Sequence, residues 1–167
     1  MKAFRPKESL AVLEREHVDY VVIGGLASIL HGANTFTRDL DICPLRTPEN
    51  LERLAKALRT LRARIRTEDA PEGLPFACDA SFFRTIAMVN LVTDNGDLDV
   101  SFQPSGTNGY EDLSKKAERL ALDDVETVVA SLDDVIRSKE AANRPKDQAS
   151  LPALRILLAE IRRRAGS

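Results

Sequence analysis

Two carboxylates lie two positions apart in the segment TRDLDI, residues 37–42, and the residues around them are apolar enough for a buried strand. Because residues two apart in a strand project to the same face, Asp39 and Asp41 are expected to point together. Neighbouring carboxylates repel each other, and burying them without a partner is costly. A divalent cation resolves this conflict, since Mg²⁺ in proteins is commonly held by one or two carboxylates together with substrate phosphates.

A second segment, GDLDV at residues 96–100, repeats the same spacing with Asp97 and Asp99. If its strand lies beside the first in one sheet, a third carboxylate can join the pair. Two metal ions could then bridge an attacking oxygen and a leaving phosphate group. Asp97 could instead belong to the turn that precedes the strand.

Two glycines, Gly24 and Gly25, follow an apolar run and precede a short helical pattern. A turn of this kind can present backbone N–H groups to a phosphate. Simple helix–strand packing also explains a Gly-Gly pair. The pair becomes more specific in combination with the acids, because Gly25 is followed by Asp39 after thirteen intervening residues.

Hydrophobic periodicity, capping residues and turn residues predict the elements that position these side chains. Helices are predicted at 5–17, 26–33, 48–62, 132–143 and 145–164. Strands are predicted at 18–25, 39–45, two within 86–102 joined by a turn at Asn95-Gly96, 120–124 and 126–130. Residues 68–81 and 104–110 are expected to be loops.

These elements predict an α/β (α+β) fold with a small mixed sheet, acids on one face and helices packed on the other. Residues 1–130 would form the core, and the helices within 131–167 would complete the same domain as a C-terminal lobe over the nucleotide cleft. The chain has 167 residues, 43% of them hydrophobic and 30% charged, as in a globular protein with a real core.

The composition argues against several classes of protein. The net charge of -2 gives no global basic field, and the two cysteines have no metal-ligand spacing. No apolar run approaches ~20 residues, and the N-terminal segment lacks the apolar core of a secretory signal. We expect a cytoplasmic protein that does not interact with a membrane.

The segment VVIGGLASILHGANTFTRDLDI, residues 21–42, resembles the signature of the nucleotidyltransferase superfamily with the DNA polymerase β-like fold. That signature is an apolar strand, a Gly-Gly or Gly-Ser pair, a spacer, Asp-x-Asp and an acid on a later strand. The C-terminal segment SLDDVIRSKEAANRPKDQASLPAL is similar to that of minimal bacterial members, including the AbiEii/MenT-type toxins.

The resemblance implies a Mg²⁺- or Mn²⁺-dependent enzyme that uses a nucleoside triphosphate (NTP). Gly24 and Gly25 would shape the loop around the triphosphate. Asp39 and Asp41 would hold the metal on the nucleotide. Asp99 would be the third metal ligand and would help to activate the attacking hydroxyl.

The resemblance also implies roles for the C-terminal segment, where Lys139 and Lys146 would neutralise phosphate charge and Asp147 would correspond to the late aspartate of the toxin-type enzymes. The residues alone favour solvated helix positions for the two lysines, and they are consistent with Asp147 as an acid that favours a helix N-terminus.

The position after the first glycine departs from many relatives, which carry a serine whose hydroxyl touches phosphate. This chain has Gly25, so Thr37 or Ser28 could supply a hydroxyl instead. Arg38, beside the acids, could contact phosphate or could point away from them.

The acceptor hydroxyl suggested by the resemblance belongs to RNA, at the 3′ end of tRNA, with the enzyme acting as a toxin beside a cognate antitoxin. The alternatives are transfer of AMP to a tyrosine or similar hydroxyl of a partner protein, as antitoxin-type relatives do, nucleotidylation of an antibiotic, and a non-catalytic module that binds a nucleotide or partner. Basic residues on one side of the third predicted helix could follow an RNA backbone or form an ordinary solvated face. They are Arg53, Lys56, Arg59, Arg62 and Arg66.

Overall fold

The computed structural model describes residues 2–166 as helices packed around one mixed β-sheet. The described helices are α1 Pro6–Arg15, α2 Gly24–Leu30, α3 Pro48–Thr60, α4 Tyr110–Leu113, α5 Leu132–Ala142 and α6 Pro145–Ala165. The described strands are β1 Tyr20–Ile23, β2 Asp39–Pro44, β3 Arg64–Ile65, β4 Met88–Thr93, β5 Gly96–Ser101, β6 Glu118–Leu122 and β7 Val125–Val129.

The sheet has the strand order β3-β4-β5-β2-β1-β7-β6. The strand β2 runs parallel to β5 and antiparallel to β1, and β1 runs parallel to β7. This arrangement confirms the predicted mixed sheet and α+β fold. It also puts the two acid-bearing strands, β2 and β5, side by side in the middle of the sheet.

The hairpin of β4 and β5 confirms the turn predicted at Asn95-Gly96. Its last paired residues are Thr93 and Gly96. Gly96 has a φ of +101°, which L side chains rarely adopt, so the glycine lets the chain reverse direction here. The register of the hairpin then decides which residues of β5 share a face.

The alternation along β2 and β5 separates the acids from the hydrophobic core. Leu40, Ile42, Leu98 and Val100 are almost completely buried. They belong to one core cluster with leucines from the surrounding helices, which are Leu10 and Leu13 of α1 and Leu51, Leu54 and Leu58 of α3. The intervening aspartates therefore lie on the other face, as the alternation predicted.

The helix α3 begins as predicted but ends earlier. Thr47 caps it by accepting a hydrogen bond from the Asn50 N–H at 3.3 Å, and Pro48 is its first residue. It ends at Thr60 rather than at the predicted Arg62, because Arg62 adopts a left-handed conformation with a φ of +56°. The chain then enters the short edge strand β3, which the sequence interpretation did not predict.

The division between the last two helices agrees with the sequence. Asn143 ends α5 in a left-handed conformation, and Pro145 begins α6. These helices pack against each other, and α5 also packs against α2. The division of the chain at residue 130 stays a prediction. The single turn of α4 was not predicted, and its first residue, Tyr110, was placed in a loop, because four residues are too few to show a helical period.

Among the described residues, no helix combines the length and the apolar character that a membrane span requires.

Candidate active site

Three aspartates from neighbouring strands converge at the centre of the sheet. The parallel register of β2 and β5 pairs Asp39 with Asp97 and Asp41 with Asp99. One carboxylate oxygen from each of Asp39, Asp41 and Asp99 lies within 4.8 Å of the others. The structure therefore brings together the three acids that the sequence singled out, and Asp97 lies on the same face but outside this group.

The electrostatics of the three acids favour a bound cation. Burial, followed by the charges of Asp39 and Asp99, raises the pKa of Asp41 to about 8. Burial also raises the pKa of Asp99, against the opposing effect of Arg66. Two of the three carboxyl groups thus resist ionisation when no metal balances them. Since the donors are all carboxylate oxygens, the site fits a hard divalent cation such as Mg²⁺ or Mn²⁺.

The two glycines bring the backbone against the acids. Gly24 has a φ of +69°, and a Cβ at this position would overlap with Oδ2 of Asp41. A Cβ at Gly25 would lie 2.9 Å from Oγ1 of Thr37, and that hydroxyl donates to Oδ1 of Asp39 at 3.0 Å. The glycines are therefore needed for the close approach, and Thr37 links their turn to the acid group.

The junction between α5 and α6 carries the C-terminal candidates. Asp147 is completely buried, and its Oδ2 accepts hydrogen bonds from the Arg144 Nε at 2.7 Å and the Arg144 backbone N–H at 3.2 Å. Lys139 Nζ lies 3.6 Å from Asp147 Oδ1. Asp147 is thus held in a capping and ion-pair role at the start of α6, and Lys139 is held beside it.

Two cations at this junction act on the acid group. The charge of Lys146 opposes the rise in the pKa of Asp41 that burial causes. The hydrogen bond to Asp147, and then the charges of Asp41 and Asp39, raise the pKa of Arg144. The junction therefore presents positive charge to the three acids. Arg144 was not singled out in the sequence, although its position next to Pro145 and Lys146 marked it as part of a helix start.

Residues 6–159 match a protein family described as nucleotidyltransferase of unknown function (DUF6036). The chain belongs to this family and is a nucleotidyltransferase. The match covers both strands that carry the acids, the Gly-Gly turn and the α5–α6 junction. No protein of the curated set matches the sequence significantly.

Solved structures share the fold of this nucleotidyltransferase. The lincosamide antibiotic adenylyltransferase LnuA superposes with a TM-score of 0.62 at 14% identity, covering 94% of this chain and 99% of that one. The antibiotic-modifying enzyme ANT(2″)-Ia gives 0.55 at 16% identity, covering 94% of each chain. A candidate nucleotidyltransferase from Thermotoga maritima (TM1012) gives 0.51 at 18% identity, covering 98% of this chain and 94% of that one.

Arg66 of the nucleotidyltransferase contacts the acid group, which the sequence interpretation missed. Its Nη2 donates to Oδ1 of Asp99 at 2.6 Å. The interpretation had put Arg66 on the basic side of α3, and this was wrong because the helix ends at Thr60. The alternation of apolar and basic residues in ARIR, residues 63–66, is the signal that could have indicated a short strand.

The side chain of Arg38 in the nucleotidyltransferase lies over the ring of Phe36. It is exposed, and its guanidinium carbon lies 5.5 Å from the centre of the Phe36 ring. Within residues 2–166, no ion pair joins Arg38 to an aspartate. A contact of Arg38 with phosphate stays a prediction. Ser28, the alternative to Thr37, is buried and bonds to Gly24 O at 3.4 Å.

Proposed function

We propose that the protein transfers a nucleoside monophosphate from an NTP to an acceptor hydroxyl, releasing pyrophosphate, with Mg²⁺ or Mn²⁺ bound by Asp39, Asp41 and Asp99. The observation that carries the proposal is the convergence of the three carboxylates within 4.8 Å of one another beside the Gly24–Gly25 turn. Family membership supports the reaction class, and this arrangement supports the choice of residues.

The metal, when bound, supplies positive charge against the triphosphate and the pentacoordinate phosphorus. Residues of the chain bind the metal and the triphosphate. Asp39 and Asp41 hold the cation, and the close approach of the Gly24–Gly25 backbone to these acids lets its N–H groups face the phosphates of the bound nucleotide. Lys146, whose charge acts on Asp41, neutralises triphosphate charge.

The chemical step balances without a further reactant. The acceptor oxygen forms a bond to the α-phosphorus, and the bond from that phosphorus to its bridging oxygen breaks, so that pyrophosphate leaves. The hydroxyl proton passes to a carboxylate oxygen of Asp99. Arg66 donates to Oδ1 of Asp99 and so holds this carboxylate in place while it accepts the proton.

The basic side of α3 bears on the identity of the acceptor. Arg53 donates to His17 O at 3.0 Å, and Lys56 lies 3.3 Å from Glu16. Arg59 donates to Cys78 O at 2.7 Å, and Arg62 lies 3.0 Å from Asp94. These groups already have partners within the chain, so an RNA backbone would have to compete for them.

We therefore propose a small hydroxylated compound as acceptor in preference to RNA. The two antibiotic-modifying enzymes that share the fold over almost their whole length support this choice. The tRNA 3′ end, a toxin-like role with an antitoxin partner, and AMP transfer to a protein stay predictions from the resemblance. The same labelling experiment tests them.

The test is transfer of label from each α-labelled NTP in Mg²⁺. The acceptors are a panel of hydroxylated compounds including lincomycin and tobramycin, total RNA, and lysate protein. The control is the double variant Asp39→Asn, Asp41→Asn. Label in a small compound that is lost in the control supports the proposal, and label in RNA or protein changes the acceptor but keeps the reaction. The absence of both transfer and Mg²⁺-dependent NTP binding would contradict the catalytic proposal.

A further inference from the structure

Arg66 is the cation in closest contact with the acid-bearing face. Its Nη2 lies 2.6 Å from Oδ1 of Asp99, and its Nε lies 3.5 Å from Oδ2 of Asp97. The Nε is buried and, within the described chain, has no hydrogen-bond partner of good geometry. The guanidinium is therefore held between the two aspartates by charge and by one strong hydrogen bond.

The backbone fixes Arg66 in this position. Its N–H donates to Asn90 O at 2.9 Å, and Asn90 is the register partner of Asp99 across the hairpin. The Cα of Arg66 is thus level with Asp99 across the strands of the sheet. A side chain anchored in this way can hold a carboxylate in one orientation, since the planar guanidinium donates in fixed directions.

We infer that Arg66 is a positioning residue: it holds the carboxylate of Asp99 in one orientation for proton transfer and, as a resident counter-ion, weakens the binding of divalent metal. The inference rests on the proposed function. It gives Arg66 two separable effects, which act in opposite directions. Fixing Asp99 speeds proton removal from the acceptor, while the positive charge of the guanidinium opposes the approach of a cation to the same carboxylates.

Opposite changes in metal affinity and in turnover distinguish a positioning role of Arg66 from a purely structural role. If Arg66 only kept the site folded, its removal would disorder the ligands and weaken metal binding and turnover together. If it is a counter-ion that positions Asp99, its removal makes the face more negative. Metal binding then becomes tighter while turnover falls.

A matched control lies two residues away. Arg64 is exposed and belongs to β3, and its Nε donates to Gly73 O at 3.4 Å. It shares the local backbone and the charge of Arg66, and among the described residues it makes no ion pair with Asp97 or Asp99. Arg64→Gln therefore removes the same charge from the same segment without removing the contact.

The experiment is a Mn²⁺ titration of the full chain followed by electron paramagnetic resonance, with thermal melting to check folding. We expect Arg66→Gln to bind Mn²⁺ about tenfold more tightly than the wild type, because the counter-ion is gone. Arg66→Lys should bind Mn²⁺ with near wild-type affinity, since the charge is kept. Arg64→Gln should match the wild type.

Turnover is measured as pyrophosphate release with the acceptor that the labelling assay identifies. We expect kcat to fall about 100-fold in Arg66→Gln, with the KM for NTP changed by less than about threefold. Arg66→Lys should recover only part of kcat, since an ammonium cannot reproduce the fixed directions of the guanidinium.

Weaker or unchanged Mn²⁺ binding in Arg66→Gln would overturn the inference. If Arg66→Gln does not fold, Arg66→Lys tests the inference instead. A wild-type kcat in Arg66→Lys would overturn it, because a positive charge without the fixed geometry of the guanidinium would then be enough for turnover. A wild-type protein that binds no Mn²⁺ would instead contradict the proposed function itself, so the two failures are distinguishable.

Discussion

The backbone of Gly24 lies directly against the carboxylate of Asp41, so closely that a Cβ at position 24 would overlap with Oδ2 of the aspartate. The two residues belong to consecutive elements, with Gly24 at the start of α2 and Asp41 in the adjacent strand β2. The contact explains why the glycine and the Asp-x-Asp segment occur together. The turn and the metal ligands form one unit, and neither can be altered without affecting the other.

Gly24→Ala is expected to abolish transfer, lowering its rate by about 100-fold or more, because the methyl group displaces Asp41 from the metal position. The left-handed φ of +69° should also cost about 1–2 kcal/mol of stability. Gly32→Ala is the control, since Gly32 also has a positive φ, of +111°, but has only Leu157 Cδ1 nearby, at 3.9 Å. Kinetics and thermal melting of both variants check the prediction, and equal loss of activity in the two would contradict it.

Asp41 makes the metal-free protein less stable as pH rises. Its pKa is about 8 in the folded protein, raised by burial first and then by the neighbouring acids, against 3.8 for the ordinary side chain. Between these values the folded state holds a proton that the unfolded state has lost. The free energy of unfolding should therefore fall with pH, by at most about 1.4 kcal/mol per unit from this group.

Urea denaturation between pH 5 and 8 in a chelator tests this pH dependence. Asp41→Asn should flatten the slope, because asparagine does not titrate. Saturating Mg²⁺ should also flatten it, since the cation stabilises the ionised carboxylate in the folded state. The same slope in the wild type and in Asp41→Asn would show that another group is responsible.

Asp147 is expected to stabilise the fold. Its carboxylate is completely buried, accepts hydrogen bonds from Arg144 and forms an ion pair with Lys139. Asp147→Leu should cost about 1–3 kcal/mol, because it removes the charged hydrogen bonds to Arg144 and the cap of α6. Asp133→Leu is the comparison, because its ion pair with Arg162 is exposed and should contribute no more than about 1 kcal/mol. Chemical denaturation measures the free energy of unfolding of both variants. Similar losses of stability in the two would argue against a structural role for Asp147.

Lys146 is expected to act on the nucleotide without supporting the fold. It is exposed, and within residues 2–166 it makes no ion pair, while its charge reaches Asp41. Lys146→Ala should raise the KM for NTP about tenfold, because a cation facing the triphosphate is lost. The melting temperature should not change. Lys115→Ala, an exposed lysine outside the site, should leave KM unchanged, and a wild-type KM in Lys146→Ala would remove Lys146 from the nucleotide site.

Much of the site was readable from local patterns. The two-residue period of a strand is enough to put Asp39 and Asp41 on one face, and Asn95-Gly96 is enough to predict the hairpin that presents Asp99. These features depend on residues close together in the chain. For the same reason, Thr47, Pro48 and Pro145 marked where helices begin.

The contacts of Arg66 and Asp147 could not be predicted from local sequence patterns. Arg66 meets Asp99 across 33 positions of sequence, through a strand of two residues that is too short to show a period. Asp147 was expected in the site from resemblance, yet the structure encloses its carboxylate between Arg144 and Lys139. A charged residue can be paired in many ways, and its sequence neighbours do not select among them.

The sequence by itself determined the acids, the glycine turn, the alternation that separates carboxylates from core, and the membership of a nucleotidyltransferase family. The tertiary structure decided that β2 and β5 are parallel neighbours in register, that Arg66 lies on Asp99, and that the basic side of α3 is occupied within the chain. The physical reason is the range of the interactions. Backbone periodicity and turn conformation act over a few residues, whereas strand order and ion pairing are chosen by packing of the whole chain.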